Sequence, residues 1–284
     1  MRKRSMFMRK LKDRILRIFS TVAVLLALGV MAWLLCTVAV KGSKALSWRF
    51  FTLPSMPYGS EGGIGNAIAG TLLITVVAAL IAAPGAVCAG IFLSEFKDFP
   101  KISAFMRFAA NVTMGVPSIL VGLFVYSILV VPARAFSGFA ASVALAAIMF
   151  PVIMRTTEDM LSMVPYALRE SALALGMTRT RATLAIVCKS ASNGLATGIL
   201  LAIARVSGET APILFTAMYA DSWPTDFFTQ PTANLPALIA EYTTNSPFEA
   251  MHTMGWGAAL VVTMIVLAIN VCVRVFFNRR QYAN

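Results

Sequence analysis

Charged side chains are scarce in this sequence: Lys, Arg, Asp and Glu make up 13% of its 284 residues, whereas hydrophobic residues make up 58%. A soluble domain of ordinary composition carries charge on about a quarter of its residues. The composition therefore excludes a soluble globular protein, and we expect lipid to be the solvent for most of the chain.

Residues that carry catalysis are also missing. No Gly-x4-Gly-Lys-Ser/Thr loop for cradling nucleotide phosphates occurs in the sequence, so we expect this chain not to hydrolyse ATP itself. The single histidine and the four cysteines lack the spacing of metal ligands or of a disulfide framework. We therefore predict no catalytic residues, no metal site and no cofactor, in a protein that is not an enzyme.

Long apolar runs occupy most of the sequence. A helix needs about 20 apolar residues to span a bilayer core of roughly 30 Å. The runs that meet this length are 18–40, 62–94, 108–133, 135–154, 253–273 and a stretch from about 190 to 220 that only Arg205 and Glu209 interrupt. We predict an all-α polytopic membrane protein with one domain, 1–284, and six transmembrane helices. The first run has 23 residues, more than the roughly 7–15 of a secretory signal, and we expect it to remain as a helix.

The distribution of basic residues predicts the orientation. If the N-terminus is inside, the inner segments hold 19 of the 24 Lys and Arg residues, and the outer segments hold four. The positive-inside rule then places both termini on the cytoplasmic side of the membrane. The same distribution accounts for the net charge of +12, so we expect no nucleic-acid partner.

This topology leaves four segments outside the bilayer. We predict a basic cytoplasmic segment at 1–17, a cytoplasmic loop at about 155–191, and periplasmic loops at about 41–64 and 218–252. The cytoplasmic loop has the pattern of two short helices, with Pro165 in the first turn of one, Gly176 at its end, and Thr178 as the cap of the next.

The cytoplasmic loop also carries a spaced motif. Glu170-Ser171-Ala172 is followed by Gly176, six residues after the glutamate, and by Ile186, ten residues after the glycine. This spacing resembles the coupling motif of ABC-importer permeases, although Ser171 replaces an alanine and Cys188-Lys189 replace Leu-Pro. The resemblance implies the type I, MetI-like permease fold. It also implies that Glu170, Ala172, Gly176 and Ile186 belong to a loop that docks into a groove on an ATPase subunit. The alternative is a basic amphipathic loop that lies on anionic lipid.

Arg205 and Glu209 are the charges within a predicted span, and such residues are costly in lipid. At a spacing of four they share one face of a helix, and a count from about residue 192 puts Arg205 near the midplane. Arginine offers a planar fork of donors that matches an oxyanion. Two interpretations stay open: Arg205 lines an anion pathway, with Glu209 holding it, or the two form a structural ion pair.

Further motifs resemble phosphate-importer permeases. Gly208-Glu-Thr-Ala-Pro, Gly115-Val-Pro-Ser-Ile-Leu-Val-Gly-Leu-Phe and Phe150-Pro-Val-Ile-Met-Arg-Thr-Thr-Glu carry this resemblance. It implies a substrate pathway that includes Arg205, Glu209 and Thr210. It also implies a second homologous permease subunit, two cytoplasmic ATPase subunits and a periplasmic phosphate-binding protein as partners.

Segment 218–252 has no Lys or Arg but contains Asp221, Asp226, Glu241 and Glu249. A net negative mouth repels free phosphate. We therefore expect this segment to dock the binding protein; the alternative is a solvated loop with scattered charges.

Two other functions remain as alternatives. The first is an ABC permease for another oxyanion, such as sulfate or molybdate. The second is an ion-driven secondary transporter with Glu209 as its proton carrier, although the sequence has no convincing internal symmetry.

Overall fold

The computed structural model describes residues 2–57, 61–96 and 98–281, whose regular secondary structure is helical with no strand, as predicted. Part of the predicted periplasmic loop 41–64, residues 58–60, lies outside the described residues. The helices, in chain order, are α1 (Arg2–Gly42), α2 (Trp48–Thr52), α3 (Gly65–Glu95), α4 (Pro100–Gly115), α5 (Ser118–Val125), α6 (Val131–Ala133), α7 (Gly138–Ser162), α8 (Tyr166–Ala174), α9 (Arg179–Ala182), α10 (Cys188–Val206), α11 (Ala211–Thr216), α12 (Leu235–Ala240) and α13 (Glu249–Gln281).

The described part of the chain contains five or six apolar crossings, according to how one bent pair of helices is counted. Five helical stretches are long and apolar enough to span a membrane, and α4 with α5–α6 supplies a sixth if this bent pair is one span. The pair bends by 101° at Val116-Pro117. Proline favours an extended conformation in the residue before it, and Val116 has φ −74° and ψ 131°. The prediction of a single run at 108–133 is therefore wrong in detail, because the helix begins at Pro100 and is broken midway.

The fifth span differs more from its prediction. It runs from Arg179 to Val206 rather than from about 190 to 220. The second short helix predicted in the cytoplasmic loop is the beginning of this span, since a π-helical turn at Thr183–Val187 joins α9 to α10 without a break. No glycine or proline interrupts 179–193. The part of 155–191 that lies outside the two long helical stretches is therefore 163–178.

The core is built on close contact between α3 and α7. A β-carbon on Gly90 would lie 2.6 Å from the carbonyl oxygen of Met154, which shows how closely the two backbones approach. The Ser142 hydroxyl donates a hydrogen bond to the Ile74 carbonyl at 3.0 Å and ties the same pair together. By contrast, the apolar run of α1 at 18–40 has no buried residue and lies on the outside of the bundle against α13.

Part of the predicted outer loop 218–252 is folded into the core. Thr232 and the residues that follow it through Leu238 are buried. The backbone N–H of Leu235 donates to the Thr71 hydroxyl of α3 at 2.8 Å. The Asn66 side chain donates to the Asp221 carbonyl, also at 2.8 Å. The segment is therefore not a fully solvated loop, because its middle packs against α3.

Candidate functional site

Helix α8 forms where the sequence predicts a short helix with a glycine end. Pro165 precedes its first turn. Gly176 has φ +81°, a conformation that side chains with a β-carbon rarely adopt. The N–H of Met177 bonds to the Ala172 carbonyl at 3.2 Å, and the N–H of Gly176 bonds to the Leu173 carbonyl at 2.9 Å. This pair of bonds is a Schellman motif, which satisfies carbonyls at the helix end.

The chain then turns directly into α9. The Thr178 hydroxyl accepts a hydrogen bond from the N–H of Arg181 at 3.4 Å, as expected of a cap. The turn between α8 and α9 therefore has the helix, glycine and cap arrangement that the sequence predicts.

Much of the surface of α8 is open. Glu170 is exposed, and Leu175 is 84% exposed. Ala172 is buried, and Ile186 is half-buried in the π-helical turn at Thr183–Val187. Exposed apolar side chains on or next to the helix are Met163, Tyr166, Leu168, Leu173 and Leu175. Such a patch is typical of a surface that another protein covers.

Three arginines from three elements converge on the last turn of α3. Arg169 of α8 forms an ion pair with Glu95 at 2.6 Å. Arg107 of α4 donates to the Leu93 carbonyl at 3.2 Å. Arg179 of α9 donates to the carbonyl of Glu95. Cations near a helix C-terminus are favourable because the last carbonyls lack helical partners.

Arg169 is the most fully engaged of the three. Its Nε and Nη2 atoms both bond to the Glu95 carboxylate, while Nη1 donates to the Val164 carbonyl at 2.6 Å and Nη2 to the Leu161 carbonyl at 2.8 Å. The side chains of Arg169 and Glu95 are 16% and 6% exposed. The hydrogen bonds to Glu95 raise the pKa of Arg169 above its usual range. This guanidinium therefore joins α8 to α3 and to the end of α7.

A second carboxylate ties α4 to α7. Glu158 accepts from Arg107 Nε at 2.7 Å and from Arg155 Nη1 at 3.3 Å. A cavity of about 810 Å³, lined by Arg107, Arg169, Glu95 and Glu158 among others, lies beside both pairs. The sequence did not identify the two buried carboxylates beside this cavity, Glu95 and Glu158. The available signal was Glu95 itself, an acid at the end of a long apolar run that needs a cation.

Arg205 lines a smaller cavity of about 130 Å³ at the break between α4 and α5. Its other walls come from Glu209, from the helix ends that carry Thr113 and Ser118, and from α7 near Ile148. Ile148 lies near the middle of α7, so the cavity is about halfway along a candidate span. The Arg205 side chain is exposed in the isolated chain.

The predicted pairing of Arg205 with Glu209 is wrong. The helix ends at Val206, and Glu209 follows a turn instead of the next helical turn. Both residues line the cavity, yet no carboxylate among the described residues lies within 4.0 Å of the Arg205 guanidinium. Thr210 precedes α11 and is not part of the cavity wall. In the described ranges no three His, Cys, Asp or Glu residues are grouped to hold a metal ion.

Comparison with known proteins gives consistent results. Residues 86–279 match the family described as binding-protein-dependent transport system inner membrane component. The phosphate transport system permease protein PstA of Yersinia pestis is 40% identical over 282 residues, covering 99% of this chain and 95% of that protein. The PstA protein of Pasteurella multocida is 39% identical, covering 96% of this chain and 97% of that one. A probable PstA protein of Methanocaldococcus jannaschii is also 39% identical, with 94% of each chain covered.

A solved structure shares the architecture. A chain of the MetNI methionine ABC transporter in an inward-facing conformation superposes with a TM-score of 0.62 and 17% identity, covering 76% of this chain and 95% of that chain. A likeness at this identity concerns the fold alone. The predicted fold, that of an ABC-importer permease of the MetI-like type, is confirmed.

Proposed function

This chain belongs to the family of binding-protein-dependent transport system inner membrane components, and we propose that it is the permease subunit of an ATP-driven phosphate importer. It is a multi-pass inner-membrane protein and a non-catalytic subunit of an ABC importer. Members of this family work with ATPase subunits, a substrate-binding protein and a second permease. We propose further that the substrate is phosphate and that this chain forms half of the pathway.

The observation that carries this proposal is the unpaired Arg205 in the cavity between α4, α5 and α7. An arginine inside a span is costly unless it meets a partner or water. Its guanidinium stays protonated and offers paired donors that fit two oxygens of a phosphate. Because Glu209 lines the same cavity without pairing to Arg205, its negative charge keeps the anion site weak enough to release its ligand. Thr210, just beyond this cavity, is included in the pathway as the family resemblance suggests.

Helix α8 supplies the proposed link to ATP hydrolysis. Its exposed leucines and Glu170 offer an apolar patch with one acidic group to a groove on an ATPase subunit. Gly176 and the buried Ala172 shape the helix end, and Ile186 lies in the π-helical turn beside it. Two such ATPase subunits would bind, one to each permease.

The remaining partners follow from the open surfaces. The exposed side of Arg205 requires a second, homologous permease to complete the pathway. The exposed acidic residues Asp221 and Glu249 provide contacts for a periplasmic phosphate-binding protein. Lipid covers the exposed surface of α1. Six crossings and the basic residues of the inner segments support cytoplasmic termini on the same side as α8.

Uptake by the purified complex in proteoliposomes tests this proposal. We expect phosphate uptake that requires ATP, and loss of that uptake in Arg205→Gln while ATPase subunits stay bound. The control is Arg49→Gln, because Arg49 is exposed and lies far from Arg205 in the sequence. This variant should transport phosphate normally. Transport of sulfate or molybdate in place of phosphate would refute the assignment of phosphate as the substrate. Uptake that is driven by a proton gradient without ATP and is abolished by Glu209→Gln would show that the protein is a secondary transporter and not part of an ATP-driven importer.

A further inference from the structure

Helix α8 has few polar ties to the rest of the chain. Among the described residues, Arg169 is the α8 side chain that hydrogen-bonds another element, and Ser171 bonds only within the helix. The segments on either side of α8 are short, with Pro165 at one end and Gly176 at the other. A displacement of α8 is therefore transmitted to the rest of the chain mainly by the hydrogen bonds of Arg169 and by the packing of the buried Ala172.

Arg169 connects directly to α7, which walls the Arg205 cavity, and through α3 to α4, which is a second wall. Its guanidinium holds the Glu95 carboxylate of α3 and the Leu161 carbonyl of α7. Helix α7 reaches the cavity with Ile148. Helix α4 reaches the same cavity with Thr113, and its Arg107 is bonded to the last turn of α3 at Leu93.

We infer that the last turn of α3 receives the movement of α8 and passes it to the cavity walls, with Arg169 as the positioning residue. This inference rests on the proposed function, since it assigns a route to the coupling between ATPase and permease. The ion pair of Arg169 and Glu95 links α8 to the last turn of α3, and we call this pair the joint. The hydrogen bonds of Arg107 and Arg179 tie α4 and α9 to the same turn, so that these helices move with it.

Two features favour a role in transmitting movement over a purely stabilising role. A buried ion pair seldom stabilises a protein more than apolar residues of similar size, but it fixes a specific geometry. Here the guanidinium makes five hydrogen bonds: three to Glu95 of α3, one to Leu161 of α7 and one to Val164, just after α7. The cavity of about 810 Å³ beside the pair leaves room for these side chains to shift together.

A double-mutant cycle on the assembled transporter tests the joint. The variants are Arg169→Lys, Glu95→Gln and both together, and the measured quantity is phosphate transported per ATP hydrolysed. We expect each single variant to lower this ratio about tenfold or more, since either change leaves its partner poorly paired. The double variant should be no worse than the poorer single one, because both remove the same interaction. ATPase subunits should co-purify in every case.

The exposed pair of Arg49 and Glu61 provides matched controls, with side chains 67% and 74% exposed. Arg49→Lys and Glu61→Gln should leave the ratio unchanged. An unchanged ratio in the Arg169 and Glu95 variants would overturn the inference, as would losses that multiply in the double variant. Loss of ATPase binding in Glu95→Gln would also overturn it, since the pair would then only hold the docking surface in shape. If the unaltered complex shows no ATP-dependent phosphate uptake, the proposed function fails instead.

Discussion

The carbonyl oxygen of Ala233 lies only 1.9 Å from the position that a β-carbon on Gly70 would occupy. The absence of a side chain at this position of α3 therefore lets the segment after Met218 reach into the bundle. Its neighbour Thr71 then accepts the N–H of Leu235 and fixes the start of α12.

Gly70→Ala should destabilise the protein. The added methyl group meets backbone, which cannot rotate away, and overpacking of this kind costs about 1–3 kcal/mol. Thermal unfolding of the detergent-purified protein measures the effect. Gly29→Ala is the control, because a β-carbon there has nothing within 4 Å. Equal midpoints for the two variants would contradict the packing argument.

Asn66→Ala should loosen the same region by another route. Asn66 is fully buried, accepts the N–H of Ser55 at 3.0 Å and donates to the carbonyl of Asp221. Its loss leaves these backbone groups unsatisfied, at about 1–3 kcal/mol. Limited proteolysis of 218–234 should become faster. Asn270→Ala, where the amide bonds only within its own helix, should leave the cleavage rate unchanged.

Gly176→Ala should weaken the attachment of ATPase subunits. The φ of +81° is strained for alanine, and the change costs about 1 kcal/mol even though a β-carbon there has open space around it. Gly176→Asn should be milder, because asparagine tolerates this conformation. Co-purification of the ATPase with each variant checks the order. Equal retention of the ATPase by both variants would show that the conformation of this residue is unimportant.

Glu158→Gln and Glu209→Gln should differ in stability. Glu158 is paired with Arg107 and Arg155, so its loss should cost about 2 kcal/mol. Glu209 has no ion pair in the described chain, so its replacement should leave the unfolding temperature nearly unchanged. A large drop in the unfolding temperature of Glu209→Gln would instead support the interpretation that Glu209 and Arg205 form a structural ion pair.

Local features of the fold could be predicted from the sequence, and distant pairings could not. The glycine end of α8 and the Thr178 cap depend on neighbouring residues, and both were found where expected. The apolar runs gave the approximate places of the spans but misplaced the fifth one and missed the break in the third. The pairing of Arg205 with Glu209 failed because it assumed a helix that continues past Val206. The ion pair of Glu95 with Arg169 joins residues 74 apart in sequence, and only the packing of α8 against α3 brings them together.

The 101° break at Val116-Pro117 also has a consequence for what this side of the chain can contact. Two helix ends meet there about halfway through a crossing, and helix ends leave backbone N–H and carbonyl groups without partners. Hydrocarbon cannot satisfy such groups, so broken backbone is tolerated in a membrane only against protein or water. The exposed side of this break therefore favours contact with water or with another subunit over contact with lipid tails.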